Sequence, residues 1–355
     1  MPCPQRKRTV IGSMPDALVD GYDLVILDLD GVVYVGEQAV PHAAEALAEL
    51  RRRGIPTCYL TNNASRSATA VAELLTGLGM PATPADVVTS AQASAQLLAE
   101  RFPAGSPILV VGSDALAAEV AAVGLRPVHT ADDSPVAVIQ GYGPNVGWRH
   151  LAEATRAVRA GARWVVTNRD RTLPSPHGPL PGNGALVAAL ATALDREPDE
   201  VVGKPSPEIF RAAADRYGAR RPLVIGDRLD TDIEGAVRAG FDSVLVLTGV
   251  ATPADALAAE PVRRPTYLAT DLSDLTRPYP AVVPSGDEAR CRRWRAWVTS
   301  GRLVLAGEGD PLDALRVLSH RLWSVDRKAG SDIPPVSGET DAAQRVVKEL
   351  GLSGV

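Results

Sequence analysis

From residue 22 to residue 271 the chain repeats one unit: a short β-branched apolar run, a loop, then an Ala/Leu-rich amphipathic segment. That alternation is the signature of β-α units on a parallel sheet, which makes the chain α/β. Strands are expected at 24–27, 57–60, 223–225, 243–247 and 266–268, with helices such as 43–53, 68–78 and 208–217 between them. A second α/β group sits inside this series, with strands at 108–111, 136–139 and 164–166 and helices near 115–123, 148–160 and 184–194. The 355 residues suit two domains and an appendage. Expected boundaries are 15–85 and 200–278 for the outer unit, 86–199 for the insertion and 287–355 for a C-terminal module.

Composition excludes several classes. Hydrophobic residues at 45% and charged residues at 22% allow a sizeable core and argue against disorder or a fibre. A formal net charge of -5 argues against a nucleic-acid-binding surface. Cys3, Cys58 and Cys291 form no C-x-x-C pair, so neither a disulfide framework nor a zinc site is supported. No secretory signal and no run of about 18 apolar residues is present, so a cytoplasmic protein with no membrane partner is expected. The five histidines show no helical ligand spacing.

In open parallel sheets ligands bind outside the carboxyl ends of the strands. The first strand ends in Asp28-Leu29-Asp30-Gly31, the second in Thr61-Asn62-Asn63, and 223–225 ends in Gly226-Asp227-Arg228-Leu229-Asp230-Thr231-Asp232. A Val201-Val202 pair leads to Gly203-Lys204-Pro205. Residues two apart on an extended chain face the same way, so Asp28 and Asp30 can address one ligand while Leu29 turns into the core. Two adjacent carboxylates are tolerable if a divalent cation sits between them, and Asp227 would complete a hard oxygen site suited to Mg2+.

These four clusters in order resemble the haloacid dehalogenase superfamily, and within it the phosphoglycolate, pyridoxal phosphate, p-nitrophenyl phosphate and nucleotide phosphatases. The resemblance spans about residues 16–275 and implies a Rossmann-like, doubly wound core carrying a cap. Only about 30 residues separate Asp30 from Thr61, whereas about 140 separate Thr61 from Lys204, so the cap falls in the second gap.

The resemblance also implies roles. Asp28 is the nucleophile, Asp30 the general acid and base, and Lys204 a charge partner. Thr61 and the Asn62 backbone N–H bind phosphoryl oxygens. Asp28, the Asp30 carbonyl and Asp227 hold Mg2+, with Asp232 ordering its water shell. Cations are needed because a carboxylate meeting a phosphate dianion at about 4 Å faces roughly 8 kcal/mol of repulsion at an effective dielectric of about 20.

Further on, Thr167-Asn168-Arg169-Asp170 and the Pro/Gly-rich loop 173–184 resemble the part of such caps that overhangs the site. Asn168, Arg169, Asp170 and His177 are therefore expected to select the substrate, with Arg169 standing where relatives commonly have proline. The first expectation is a phosphatase of glycerol 3-phosphate or a similar polyol phosphate. Phosphoglycolate, sugar-phosphate, nucleotide and pyridoxal-phosphate phosphatases, a phosphotransferase, and a non-catalytic regulatory binding protein are the alternatives. A homo-oligomer is compatible with the sequence.

Beyond a proline-rich linker expected at 275–288 lies a tail with Trp294, Trp297 and Trp323, a strand at 302–305, and helices at 311–325 and 341–350. Leu312, Leu315, Leu318 and Leu322 share one helix face. A small α/β module that docks on the rest is expected.

Overall fold

The computed structural model describes residues 16–353, apart from residues 37, 174–177, 179 and 326–331. The first part alternates β1 (Leu24–Leu27), α1 (Ala43–Arg52), β2 (Thr57–Thr61), α2 (Ala68–Gly77) and β3 (Val87–Thr89). The chain then crosses through α3 (Ser90–Arg101) into a second unit. This unit contains β4 (Pro107–Val111), α4 (Asp114–Ala122), β5 (Arg126–Val128), β6 (Ala137–Gln140), α5 (Trp148–Arg159), β7 (Arg163–Val166), α6 (Asn183–Leu194) and β8 (Glu200–Val201). It returns through α7 (Pro207–Arg216) to β9 (Pro222–Gly226), α8 (Glu234–Ala239), β10 (Asp242–Val246), α9 (Pro253–Ala258) and β11 (Tyr267–Ala269). The last unit holds β12 (Val282–Ser285), β13 (Glu288–Cys291), β14 (Trp294–Thr299), β15 (Arg302–Ala306), α10 (Pro311–Trp323), β16 (Val336–Gly338) and α11 (Asp341–Glu349).

The core sheet runs β11-β10-β9-β1-β2-β3, all parallel. Its strands are apolar along most of their length because both faces are covered, with polar residues such as Thr57, Thr61, Thr89 and Asp242 at strand ends. Val25, Leu27, Tyr59 and Ile225 pack toward α1 and α2, whereas Leu24, Ile26, Cys58 and Val224 pack on Ile209 and Phe210 of α7. Cys58, fully buried, has its thiol pushed up to about 12 by burial, as befits a structural rather than a reactive cysteine. The chain winds one way from β1 to β3 and the other way from β9 to β11, so the strand order reverses between β1 and β9. A crevice opens outside their carboxyl ends.

The inserted sheet runs β8-β7-β6-β4-β5, also parallel. The tail sheet runs β12-β13-β14-β15-β16, antiparallel except for its last pair. Trp294 of β14 is buried and donates its indole N–H to the Asp310 carbonyl at 2.9 Å.

Three strands lie where the sequence reading put something else. Val87–Thr89 was expected inside the insertion but pairs with β2 in the core sheet. Glu200–Val201 was expected with the returning core but pairs with β7, so Lys204 leaves the inserted sheet and not the core one. Four residues of the expected linker form β12 (Val282–Ser285), whose Pro284 sits opposite Ala289. Proline lacks a ladder donor, and an edge strand is where a sheet accepts it.

Candidate active site

The register of the core sheet assembles the site. Leu27 stands level with Ile225 and Tyr59, so the residues that follow β1, β2 and β9 emerge side by side. The Asp28 N–H still donates to the Ile225 carbonyl at 2.9 Å, which fixes where its side chain starts. Gly31, at φ +82°, then turns the chain away, and a Cβ there would stand 2.5 Å from Asp227 Oδ2. Gly249, in the loop after β10, is tighter still, since a Cβ would come within 1.9 Å of the same oxygen. Any side chain at either position would displace Asp227.

Asp28, Asp227 and Asp232 each present a carboxylate oxygen within 4.8 Å of the others. Lys204 Nζ bonds Asp28 Oδ1 and Asp232 Oδ1, both at 2.6 Å. Asp227 Oδ2 accepts the Val250 N–H at 2.7 Å, while Thr248 Oγ1 donates to the Gly31 carbonyl at 2.5 Å. Asp227 and Asp232 are each only 1% exposed, and Lys204 3%, so these charges are out of water. Asp232 lies on one π-helical turn, Leu229–Ile233, that leads into α8.

The electrostatics are unbalanced. Burial and then the Asp28 charge push both Asp30 and Asp227 up to about 6. Burial also raises Asp232, against the pull of Lys204. Burial opposes the Lys204 charge as well, yet Asp232 and Asp28 outweigh it, and the ammonium titrates above its ordinary range. Four carboxylates thus share one contacting lysine, with Arg66 near Asp30 and Arg228 near Asp227 acting only at longer range. Asp227 Oδ1 is buried with no hydrogen-bond partner among the described residues. An orphaned anionic oxygen beside two other carboxylates is what a hard divalent cation needs, so the donor set fits Mg2+.

Thr61 ends β2, Asn62 follows it directly, and both are buried. Asn62 has a role that local reading missed. Its Oδ1 accepts the Lys204 N–H at 2.8 Å and its Nδ2 donates to the Lys204 carbonyl at 3.1 Å, so the amide holds the lysine segment like a neighbouring strand. Its carbonyl accepts from Ser90 Oγ and from Asn168 Nδ2, both at 2.7 Å.

The inserted unit, a cap in this arrangement, contributes unevenly. Asp170 Oδ1 accepts from Asn62 Nδ2 at 3.2 Å, and its carboxyl is raised by burial and lowered by Lys204, which puts it at the rim of the site. Asn168 is 3% exposed with its Nδ2 committed to the Asn62 carbonyl, so the structure uses it to fasten cap to core. Arg169 pairs with Glu197 on the exposed surface of the cap, not with the carboxylates. His177 lies outside the described residues. Asn183, absent from the sequence reading, is buried and donates to the Asn168 carbonyl at 2.8 Å; its place between two glycines in the Pro/Gly-rich loop was the available signal. Thr248 and Val250 were equally findable, because they follow β10 on the same sheet edge.

Comparison with known proteins agrees with this geometry. Residues 25–126 match the family model described as haloacid dehalogenase-like hydrolase, and 201–275 match one described as HAD-hydrolase-like. Residues 291–352 match a GCN5-related N-acetyltransferase like domain. The chain is 48% identical over 319 residues to the D-glycerol 3-phosphate phosphatase of Mycobacterium tuberculosis, covering 89% of this chain and 87% of that one. It is 34% identical over 254 residues to an acid sugar phosphatase of Staphylococcus epidermidis, covering 71% and 96%. A crystal structure of a glycerol phosphate phosphatase from Mycobacterium tuberculosis in complex with magnesium superposes with a TM-score of 0.86 at 44% identity, over 95% of this chain and 99% of that one. A p-nitrophenyl phosphatase from Archaeoglobus fulgidus superposes with a TM-score of 0.67 at 30% identity, over 72% and 98%. With an intact carboxylate edge and relatives of this extent, the chain belongs to the haloacid dehalogenase-like hydrolases, among their phosphatases.

Proposed function

We propose that the protein hydrolyses a small phosphate monoester with Mg2+, and that glycerol 3-phosphate is its substrate. The observation that carries the reading is the convergence of Asp28, Asp227, Asp232 and Lys204 at one strand-order reversal, with Asp227 Oδ1 left unpartnered. The 48% identity to a D-glycerol 3-phosphate phosphatase supports the substrate. Asp28 and Asp227, with the Asp30 carbonyl that the family resemblance adds, would hold the ion, and Asp232, which fixes Lys204, would order its water shell. When bound, Mg2+ supplies positive charge that offsets repulsion between a carboxylate and a phosphate dianion.

Asp28 attacks phosphorus; its carboxylate oxygen forms a bond to phosphorus as the bond to the leaving oxygen breaks. Asp30 gives that oxygen a proton, for which its raised pKa suits it. Asp30 then takes a proton from water as the water oxygen bonds phosphorus, releasing inorganic phosphate and restoring Asp28. Lys204 holds Asp28 in line, and Thr61 with the Asn62 N–H receives the phosphoryl oxygens. In this reading the cap limits access to small molecules, and Asp170, at the rim beside Asn62, is assigned to meet a substrate hydroxyl.

Among the described residues no helix is long and apolar enough to cross a membrane. We place the protein in the cytoplasm, acting on a phosphorylated metabolite and not on nucleic acid. Phosphate release measured over glycerol 3-phosphate, phosphoglycolate, sugar phosphates, nucleotides and pyridoxal phosphate tests the assignment. The highest kcat/KM should fall on glycerol 3-phosphate; a clear preference for a sugar phosphate would move the protein toward the staphylococcal relatives, and no turnover of any ester would remove the phosphatase reading.

A further inference from the structure

The tail does not rest on an arbitrary face of the core. Leu312 and Leu315 of α10 share one apolar cluster with Ile233, Leu245, Ala251, Ala256 and Leu268. Two of these core residues adjoin the carboxylate site. Ile233 follows Asp232 directly, closing the π-helical turn that presents it, and Leu229, at the start of that turn, packs against the same cluster. Ala251 follows Val250, whose N–H holds Asp227 Oδ2, and the Ala251 N–H itself donates to the Asp227 carbonyl at 3.0 Å. Leu315 is fully buried and Leu312 7% exposed, so the contact is a packed one. A second grip lies alongside: the Arg316 guanidinium donates twice to the Leu268 carbonyl of β11, at 2.8 and 3.2 Å.

We infer that Leu312 and Leu315 are positioning residues for the metal site: the tail helix backs the two segments that aim Asp227 and Asp232, and so sets how tightly a divalent cation is held. The inference rests on the reading of Asp28, Asp227 and Asp232 as the cation site. The physical reason is that this cluster packs behind the backbone segments that carry Asp227 and Asp232, through Ala251 and Ile233. With α10 trimmed, Ile233 and Ala251 gain room, and carboxylates that repel one another use it to move apart. The p-nitrophenyl phosphatase and acid sugar phosphatase relatives are almost fully spanned by about 70% of this chain, so this backing is a feature of the longer architecture.

The test is Mn2+ binding, followed by electron paramagnetic resonance of the free ion, on full-length protein without substrate, together with melting temperature. Leu315→Ala should weaken Mn2+ binding by about 3- to 30-fold, as expected for a substitution that acts through packing, and Leu312→Ala by less. Leu303→Ala is the control, because Leu303 is fully buried in the tail's own sheet and belongs to a different cluster. It should lower melting while leaving Mn2+ affinity unchanged. If Leu315→Ala does not fold, Leu312→Ala and Leu315→Val carry the test. Wild-type affinity in these variants would overturn the inference, as would an equal loss in Leu303→Ala, which would reduce the effect to general stability. If wild-type protein binds Mn2+ no better than Asp227→Asn, the cation site itself is misassigned and the inference falls with it.

Discussion

Two regions of the molecule bury charge, and they finish the job differently. Where the tail meets the core, Arg316 and Asp313 are 7% and 3% exposed. Arg316 Nε and Nη2 donate to the Leu268 carbonyl, Nη1 donates to Asp313 Oδ1 at 2.7 Å, and Arg292 Nε reaches Asp313 Oδ2 at 3.1 Å. The guanidinium also lies 4.4 Å from the centroid of the Tyr279 ring. That seam is satisfied from within the chain. At the carboxylate edge, among the described residues, four acids face one contacting lysine and Asp227 Oδ1 has no hydrogen-bond partner. Buried charge with its partners in place is architecture, and buried charge that the chain leaves without them marks a binding site.

The comparison can be broken at either end. The largest effect belongs to the unfinished region: Asp28→Asn should keep its fold and melting behaviour yet lose at least about four decades of phosphate release. Retained turnover would remove Asp28 from the chemistry. At the finished seam the pattern reverses. Arg316→Ala leaves Asp313 buried with less compensation and should cost about 3–5 kcal/mol of stability, read as a lower denaturation midpoint, while kcat at saturating Mg2+ holds. A variant as stable as wild type would show the seam to be dispensable.

A smaller effect carries the opposite sign. In EDTA the raised Asp227 pKa, from 3.8 to about 6, means that the folded state binds a proton more tightly than the unfolded chain. Stability therefore falls as pH rises through that window. Asp227→Asn removes the loss and should stabilise the metal-free protein near pH 7 by about 1–3 kcal/mol, with little difference near pH 3. A destabilised Asn variant would mean that Asp227 is satisfied after all. The smallest effect is expected of Arg169→Ala. Its partner Glu197 is 72% exposed, so the pair contributes at most about 1 kcal/mol and kcat/KM should stay within about 3-fold of wild type. A larger kinetic loss would show that Arg169 swings to the substrate.

What the sequence disclosed follows the same division. The placement of Asp28, Asp30, Thr61 and Asp227 on one sheet edge was legible because each sits at or just beyond the carboxyl end of a buried strand, a position set by local pattern. The roles of Asn62 and Asn168 were not, since the bonds that define them join residues 142 and 106 positions apart. Val87–Thr89 and Glu200–Val201 are too short to show a period, and Pro284 disguised an edge strand as a linker. Arg169 stands beside two residues that do meet the core, but the exposed Glu197 captures it, and neighbouring positions in a loop need not face one way.

The central claim is that the unfinished edge does covalent chemistry through Asp28. Its most direct test is the mass of acid-quenched Asp30→Asn protein after mixing with p-nitrophenyl phosphate and Mg2+, a substrate whose good leaving group needs no protonation to depart. The account predicts the addition of one phosphoryl group, mapped to the peptide that contains Asp28 and absent when Asp28→Asn is combined with it. Turnover with no phosphoryl group on that peptide, or with the group on another residue, would contradict it.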